Sequence, residues 1–79
     1  MNIKILGAGC ANCKKLHQAA EEAVKEMDIK ADFEKVEDIQ KIMGYGVMRT
    51  PALVINEKVK VFGRVPAKDE IKKYIEDEK

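Results

Sequence analysis

From Asn2 to Leu6 apolar and polar residues alternate and then run apolar, which predicts a strand with at least one buried face. Beyond Cys13 the spacing changes. Cys13, Leu16, His17, Ala20, Val24 and Met27 recur at steps of three and four, one face of an amphipathic helix, with Lys14, Lys15, Glu21, Glu22, Lys25 and Glu26 largely opposite. Period two returns over Lys30–Val36, where Ala31, Phe33 and Lys35 share a side, and predicts a second strand. Asp38 suits the N-cap of a short helix with an Ile39, Ile42 and Met43 stripe, closed by Gly44-Tyr45-Gly46. Pro51-Ala52-Leu53-Val54-Ile55 is the most apolar run and predicts a central strand covered on both faces. Asn56-Glu57 is placed as a two-residue hairpin turn into Lys58–Phe62, which alternates again. Gly63-Arg64-Val65 turns the chain. Pro66 suits the first turn of a last helix, whose buried stripe is Ile71, Tyr74 and Ile75.

The order β-α-β-α-β-β-α predicts an α/β fold with a four-stranded mixed sheet. Right-handed crossovers put helices on both of its faces. Residues 1–79 make one small domain, with no linker or repeat to divide it. A chain this short buries only roughly 60% of its unfolded surface, so the core is modest.

Composition narrows the partners. With 15 basic and 14 acidic residues the formal charge is +1, which gives no electrostatic reason to expect nucleic acid or an anionic membrane. No apolar run approaches the roughly 18 residues of a membrane span, and the apolar N-terminus is too short for a signal peptide. The expected compartment is the cytoplasm. Thiols there are kept reduced, so a close cysteine pair points to redox chemistry or metal binding rather than a structural staple.

That pair is Cys10 and Cys13, in Gly9-Cys10-Ala11-Asn12-Cys13, at the predicted passage from first strand to first helix. At a helix start the first N–H groups lack intrahelical partners and the dipole is positive, so a sulfur there ionises more easily. Two cysteines at this spacing can cycle between dithiol and disulfide.

With that motif and that order of elements, the chain resembles the thioredoxin fold family over nearly its whole length. The stretch Gly46-Val47-Met48-Arg49-Thr50-Pro51-Ala52-Leu53-Val54-Ile55 is similar to the family segment in which a cis-proline opens an apolar strand. The compact form is nearer glutaredoxin in size, and similar to small archaeal and bacterial redox-active disulfide proteins. The resemblance implies a thiol–disulfide oxidoreductase that reduces protein disulfides with no cofactor beyond the Cys10–Cys13 couple. In it Cys10 is the nucleophile and Cys13 the resolving thiol. Pro51 lies across from them with a cis bond to Thr50, and Thr50 and Pro51 contact substrate. It also implies a monomer, reduced by a thioredoxin-reductase-like dithiol donor rather than glutathione. The chain departs from the family in carrying Gly9 before the first cysteine and Ala11-Asn12 between the two. No acid occurs in Met1–Leu6 to act as the proton acceptor beneath the site, and Gly63-Arg64-Val65 lacks the Gly-Gly-Asp type of turn that grips glutathione.

Other readings compete at the same residues. Two thiolates suit a soft metal, so a copper or zinc carrier is the alternative, and a redox-sensing module without turnover is a third. His17 is a third possible ligand by spacing, although all three donors then sit on one rigid segment; a half-exposed structural histidine is the favoured reading. Lys14 and Lys15 are read as a solvated helix face. Tyr45 and Met48 either line a peptide groove near Pro51 or pack within their loop.

Overall fold

A computed structural model describes residues 1–7 and 11–78. The elements are β1 (Asn2–Leu6), α1 (Ala11–Met27), β2 (Asp32–Val36), α2 (Ile39–Gly44), β3 (Ala52–Ile55), β4 (Lys58–Phe62) and α3 (Lys68–Asp77). They follow the predicted order. The sheet runs β2-β1-β3-β4, with β1 parallel to β2 and the β1–β3 and β3–β4 pairs antiparallel, so it is mixed.

Side-chain alternation sorts the core into two layers. On one face Ile3 and Ile5 of β1 and Leu53 and Ile55 of β3 pack against Leu16, Ala20 and Ala23 of α1 and Ile71 and Ile75 of α3. On the other, Leu6, Val36, Ala52 and Val54 pack against Ile42 of α2 and Val47. Every residue of β3 is buried, as a strand covered on both sides requires. Lys4 alternates onto the α2 face. Its ammonium donates to Tyr45 Oη at 2.9 Å and pairs with Glu57 at 2.7 Å, and these partners raise its pKa.

Three local features differ from the sequence pattern. The second strand starts at Asp32, two residues late, because α1 closes on Asp28 in the left-handed region (φ 54°). There the Asp28 and Ile29 N–H groups donate to the carbonyls of Lys25 and Val24, satisfying two orphan acceptors. Strand β4 does not keep its alternation. The register steps from Leu53↔Val61 to Val54↔Val59, leaving Lys60 as the extra residue of a bulge. Val61 therefore joins the α1–α3 layer and Val59 the α2 layer, although only Lys60 separates them. Pro66 lies fully buried just before the N-cap Ala67 rather than inside the first turn of α3.

The hairpin turn is Asn56-Glu57, both residues at positive φ (51° and 68°), the backbone whose twist matches the flanking strands. Across the α1–α3 seam, Glu26 takes hydrogen bonds from Lys68 and Lys72, which lower its pKa to about 2. Among the described residues no helix is long and apolar enough to cross a membrane.

Candidate active site

The site gathers at the carboxyl end of β1. The odd-numbered residues Ile3, Ile5 and Gly7 point toward α1, and the strand continues past Leu6 far enough for the Gly7 N–H to donate to the Val36 carbonyl at 2.9 Å. Gly7 is pinned there with φ 156°. A Cβ added to it would overlap the sulfur of Cys13 and lie 3.6 Å from Cβ of Thr50. The missing side chain is thus the space the sulfur occupies, and Gly7 is where Cys13 and Thr50 come together. Cys13 itself sits in the first turn of α1 and is only 6% exposed, on the same helical face as Leu16 and Ala20. Cys10, the other member of the pair, lies outside the described residues together with Ala8 and Gly9.

The Thr50–Pro51 peptide is cis. Pro51 is fully buried and its carbonyl accepts from the Gly63 N–H at 2.9 Å, tying this bend to the end of β4. Gly63 has φ 80°, and Arg49 Cβ passes 3.5 Å from where a Gly63 side chain would start. Thr50, exposed, stands at the rim of an apolar groove of about 500 Å³ bounded by Ile39, Ile42, Met43, Val47 and Met48. Ile39, Met43 and Met48 are 67%, 65% and 90% exposed. Asp38 fixes the start of the helix that carries Ile39 and Met43, its carboxylate accepting from Gln40 N–H at 2.8 Å.

A second, smaller cavity of about 120 Å³ opens onto Cys13 from the other side. It is lined by Ile5, Gly7 and Cys13, by Lys14 of α1, and by Lys35 and Glu37 from the end of β2. The alternation that sends Phe33 toward α1 sends Lys35 there too. The sequence alone reads Lys14 as a solvated helix face and Gly7 as part of a flexible Gly7-Ala8-Gly9 turn into the helix, and it places neither Gly7 nor Glu37 at the site. The signal for both was the parallel pairing of β1 with β2, which sets Leu6 opposite Val36 and therefore their successors side by side.

The remaining candidates go elsewhere. His17 is half-buried, its ring edge-on to Phe33 at 5.5 Å and 63°, its Nε2 on Glu21. Among the described residues no group of three or more His, Cys, Asp or Glu side chains is arranged to hold a metal. Tyr45 is not part of the apolar groove: its hydroxyl accepts from Lys4 and donates to Glu57 at 2.9 Å, beside a third cavity of about 380 Å³. Met48 does line the groove. Arg64 is engaged by Glu70, one nitrogen donating at 3.2 Å, which raises the Arg64 pKa and lowers that of Glu70.

Comparison with known proteins gives the same picture. A family model described as thioredoxin domain matches residues 1–76. A thioredoxin of Methanothermobacter thermautotrophicus is 45% identical over 75 residues, covering 95% of this chain and 97% of its own length. A thioredoxin of Methanocaldococcus jannaschii is 32% identical, with 94% and 90% covered. A probable thioredoxin of Methanothermobacter marburgensis is 36% identical, with 87% and 84% covered. The family model over residues 1–76 and relatives of similar length, each matched over most of both chains, show that the chain belongs to the thioredoxin domain family.

Proposed function

We propose that this chain is a thiol–disulfide oxidoreductase that reduces protein disulfides by cycling Cys10 and Cys13 between dithiol and disulfide. The observation that supports it most directly is the meeting of Cys13 and Thr50 at Gly7, with an apolar groove continuing from Thr50. The names of the relatives point the same way. Cys10 precedes the first residue of α1 in sequence, where a thiolate is favoured by the helix dipole. Its thiolate attacks one sulfur of the substrate disulfide, and the other sulfur leaves as a thiol. Cys13, as thiolate, then attacks Cys10 in the mixed disulfide; the Cys10–Cys13 bond forms and the second substrate sulfur departs reduced.

In this reading Thr50 and Pro51 contact the substrate. Ahead of a proline the chain is held extended, so the backbone at Thr50 can pair with an extended segment. Ile39, Met43 and Met48 then take an apolar side chain near the attacked cysteine, and methionine suits a surface that must accept varied partners. The protein works as a monomeric, single-domain cytoplasmic dithiol, recharged by a thioredoxin-reductase-like donor. Arg64, the cation nearest in sequence to a glutathione-type turn, is taken by Glu70, which favours a dithiol donor over glutathione.

Cys13→Ser, expressed in cells, tests the cycle. It is expected to accumulate mixed disulfides with substrate proteins, and Cys10→Ser is expected to accumulate none. Equal trapping by both, or by neither, removes the assignment.

A further inference from the structure

Ion pairing sorts the cations of this chain. Lys4 is held by Glu57, Lys58 and Lys60 by Glu78, Arg64 by Glu70, and Lys68 and Lys72 by Glu26. Lys14, Lys15, Lys35 and Arg49 are exposed and enter no ion pair among the described residues. All four belong to segments that meet at the site. Lys14 and Lys15 follow Cys13 in α1, Lys35 stands near the end of β2, and Arg49 precedes Thr50.

These cations fall on two flanks. The sheet order β2-β1-β3-β4 leaves Gly7 and Thr50 at the ends of the two inner strands. Lys35, on the outer strand of one side, lines the small cavity at Cys13 together with Lys14. Arg49 lies toward the other edge. Its Cβ and Cδ pass 3.5 and 3.6 Å from where a side chain on Gly63, just past β4, would start. Three strand spacings separate the edges of such a sheet, about 14 Å, which about four extended residues span. The carboxylates at this end are Glu37, which lines the cavity beside Lys35, and Asp38, which accepts from Gln40 N–H. A chain with a formal charge of only +1 thus keeps uncommitted cations on both sides of its apolar groove. Such rim charges act mainly on the rate and selectivity of encounter.

We infer that the site selects disulfides set in acidic protein segments. An apolar side chain enters the groove of Ile39, Met43 and Met48, and carboxylates to either side of it meet Arg49 on one flank and Lys14 and Lys35 on the other. The inference rests on the dithiol reading above and names the substrate class of that site. Nucleic acid would engage the cations but leave the groove empty.

Three peptides test it. Each carries one intramolecular disulfide with a leucine beside the first cysteine, and they differ only in their flanking residues, all glutamate, all serine or all lysine. The reduced protein is mixed with each peptide, quenched in acid, and peptide reduction is read by chromatography. At an ionic strength of about 0.01 M the glutamate peptide is expected to react fastest and the lysine peptide slowest. Raising the salt to about 0.15 M shortens the screening length from about 30 Å to about 8 Å. The glutamate peptide is then expected to slow about tenfold, the low end of the range for steered association, and the lysine peptide to quicken. Arg49→Glu and Lys35→Glu, one on each flank, are each expected to slow the glutamate peptide about fivefold at low salt and to speed the lysine peptide by a similar factor, the upper worth of an exposed pair. A substitution that only disturbs the fold or the cysteines moves all three peptides the same way. Equal rates for the three peptides, a faster lysine peptide in the parent, or variants that slow all three alike overturn the inference. A crossover in one variant alone overturns the two-sided arrangement. No reduction of any peptide by the parent overturns the dithiol reading, and the inference with it.

Discussion

Gly7→Ala probes the site most sharply, because one methyl group meets a defined obstacle. The backbone cannot slide away: Gly7 N–H is bonded to Val36 at 2.9 Å, and β1 is paired on both sides. The new Cβ would share space with the Cys13 sulfur, while Cys13 Cβ at 3.4 Å and Thr50 Cβ at 3.6 Å stand at ordinary contact. Helical residues have few χ1 options, so the sulfur has little room to turn aside. Overpacking of this kind costs about 1–3 kcal/mol. Alanine at φ 156° adds a similar strain of roughly 1–3 kcal/mol. Against these, the stiffer unfolded chain returns about 0.4–1 kcal/mol. The net expectation is a loss of about 1–5 kcal/mol, set against a stability of order 5–15.

The two contributions separate in a double-mutant cycle. In a Cys13→Ala background the sulfur is gone, so the clash vanishes and only the backbone strain remains. Urea unfolding of the parent, both single variants and the double variant under reducing conditions is expected to give a coupling of about 1–3 kcal/mol. Additive losses, within about 0.5 kcal/mol, would mean that the sulfur does not occupy the space above Gly7.

Three further outcomes are expected. Leu53→Ala, at a fully buried position facing α1 and α3, should cost about 2–5 kcal/mol in urea unfolding, and a loss below 1 would contradict the layer assignment. Asp38→Ala removes the cap on Gln40 N–H and should cost about 0.5–2 kcal/mol, with faster amide exchange in the first turn of α2. Glu26→Gln should be less stable than the parent at neutral pH. The folded pKa of Glu26 is depressed to about 2, so its contribution is present above the unfolded carboxylate pKa and fades as pH falls from there toward 2. The gap between parent and variant should therefore close on acidification and shrink in salt; a gap independent of pH would refute the Lys68–Glu26–Lys72 bridge.

Much of the fold was legible because burial imposes a period. The steps of three and four from Cys13 to Val24, and the unbroken run Ala52–Ile55, encode a helix on one face and a strand covered on two. What escaped the pattern depends on single residues with no such signature. Nothing in Lys58-Val59-Lys60-Val61-Phe62 announces that Lys60 is a bulge; two valines in alternation look like one face, and only pairing with β3 sends them to opposite layers. Asp28 closes α1 without the glycine that usually marks a left-handed end. Gly7 reads as a loose turn residue in the string Gly7-Ala8-Gly9, yet it is held by β2 and filled over by a sulfur.

The candidate site divides along the same line. A cysteine pair advertises itself, and so does a proline opening an apolar strand. Glu37 does not, since an exposed glutamate after an edge strand has no local peculiarity. Its place at the Cys13 cavity follows only from parallel pairing, which carries the residue after Val36 to the side of the residue after Leu6. β1 runs into Gly7, where the Cys13 sulfur takes the space of a side chain, and the two strands beside β1 bring the other residues to that point. Of the two neighbours, β3 begins at the cis bend and delivers Thr50 to the groove side. β2, parallel to β1, ends where β1 ends and delivers its residues to the opposite side. The mixed sheet thereby brings Thr50 to the sulfur on one flank and Lys35 and Glu37 on the other.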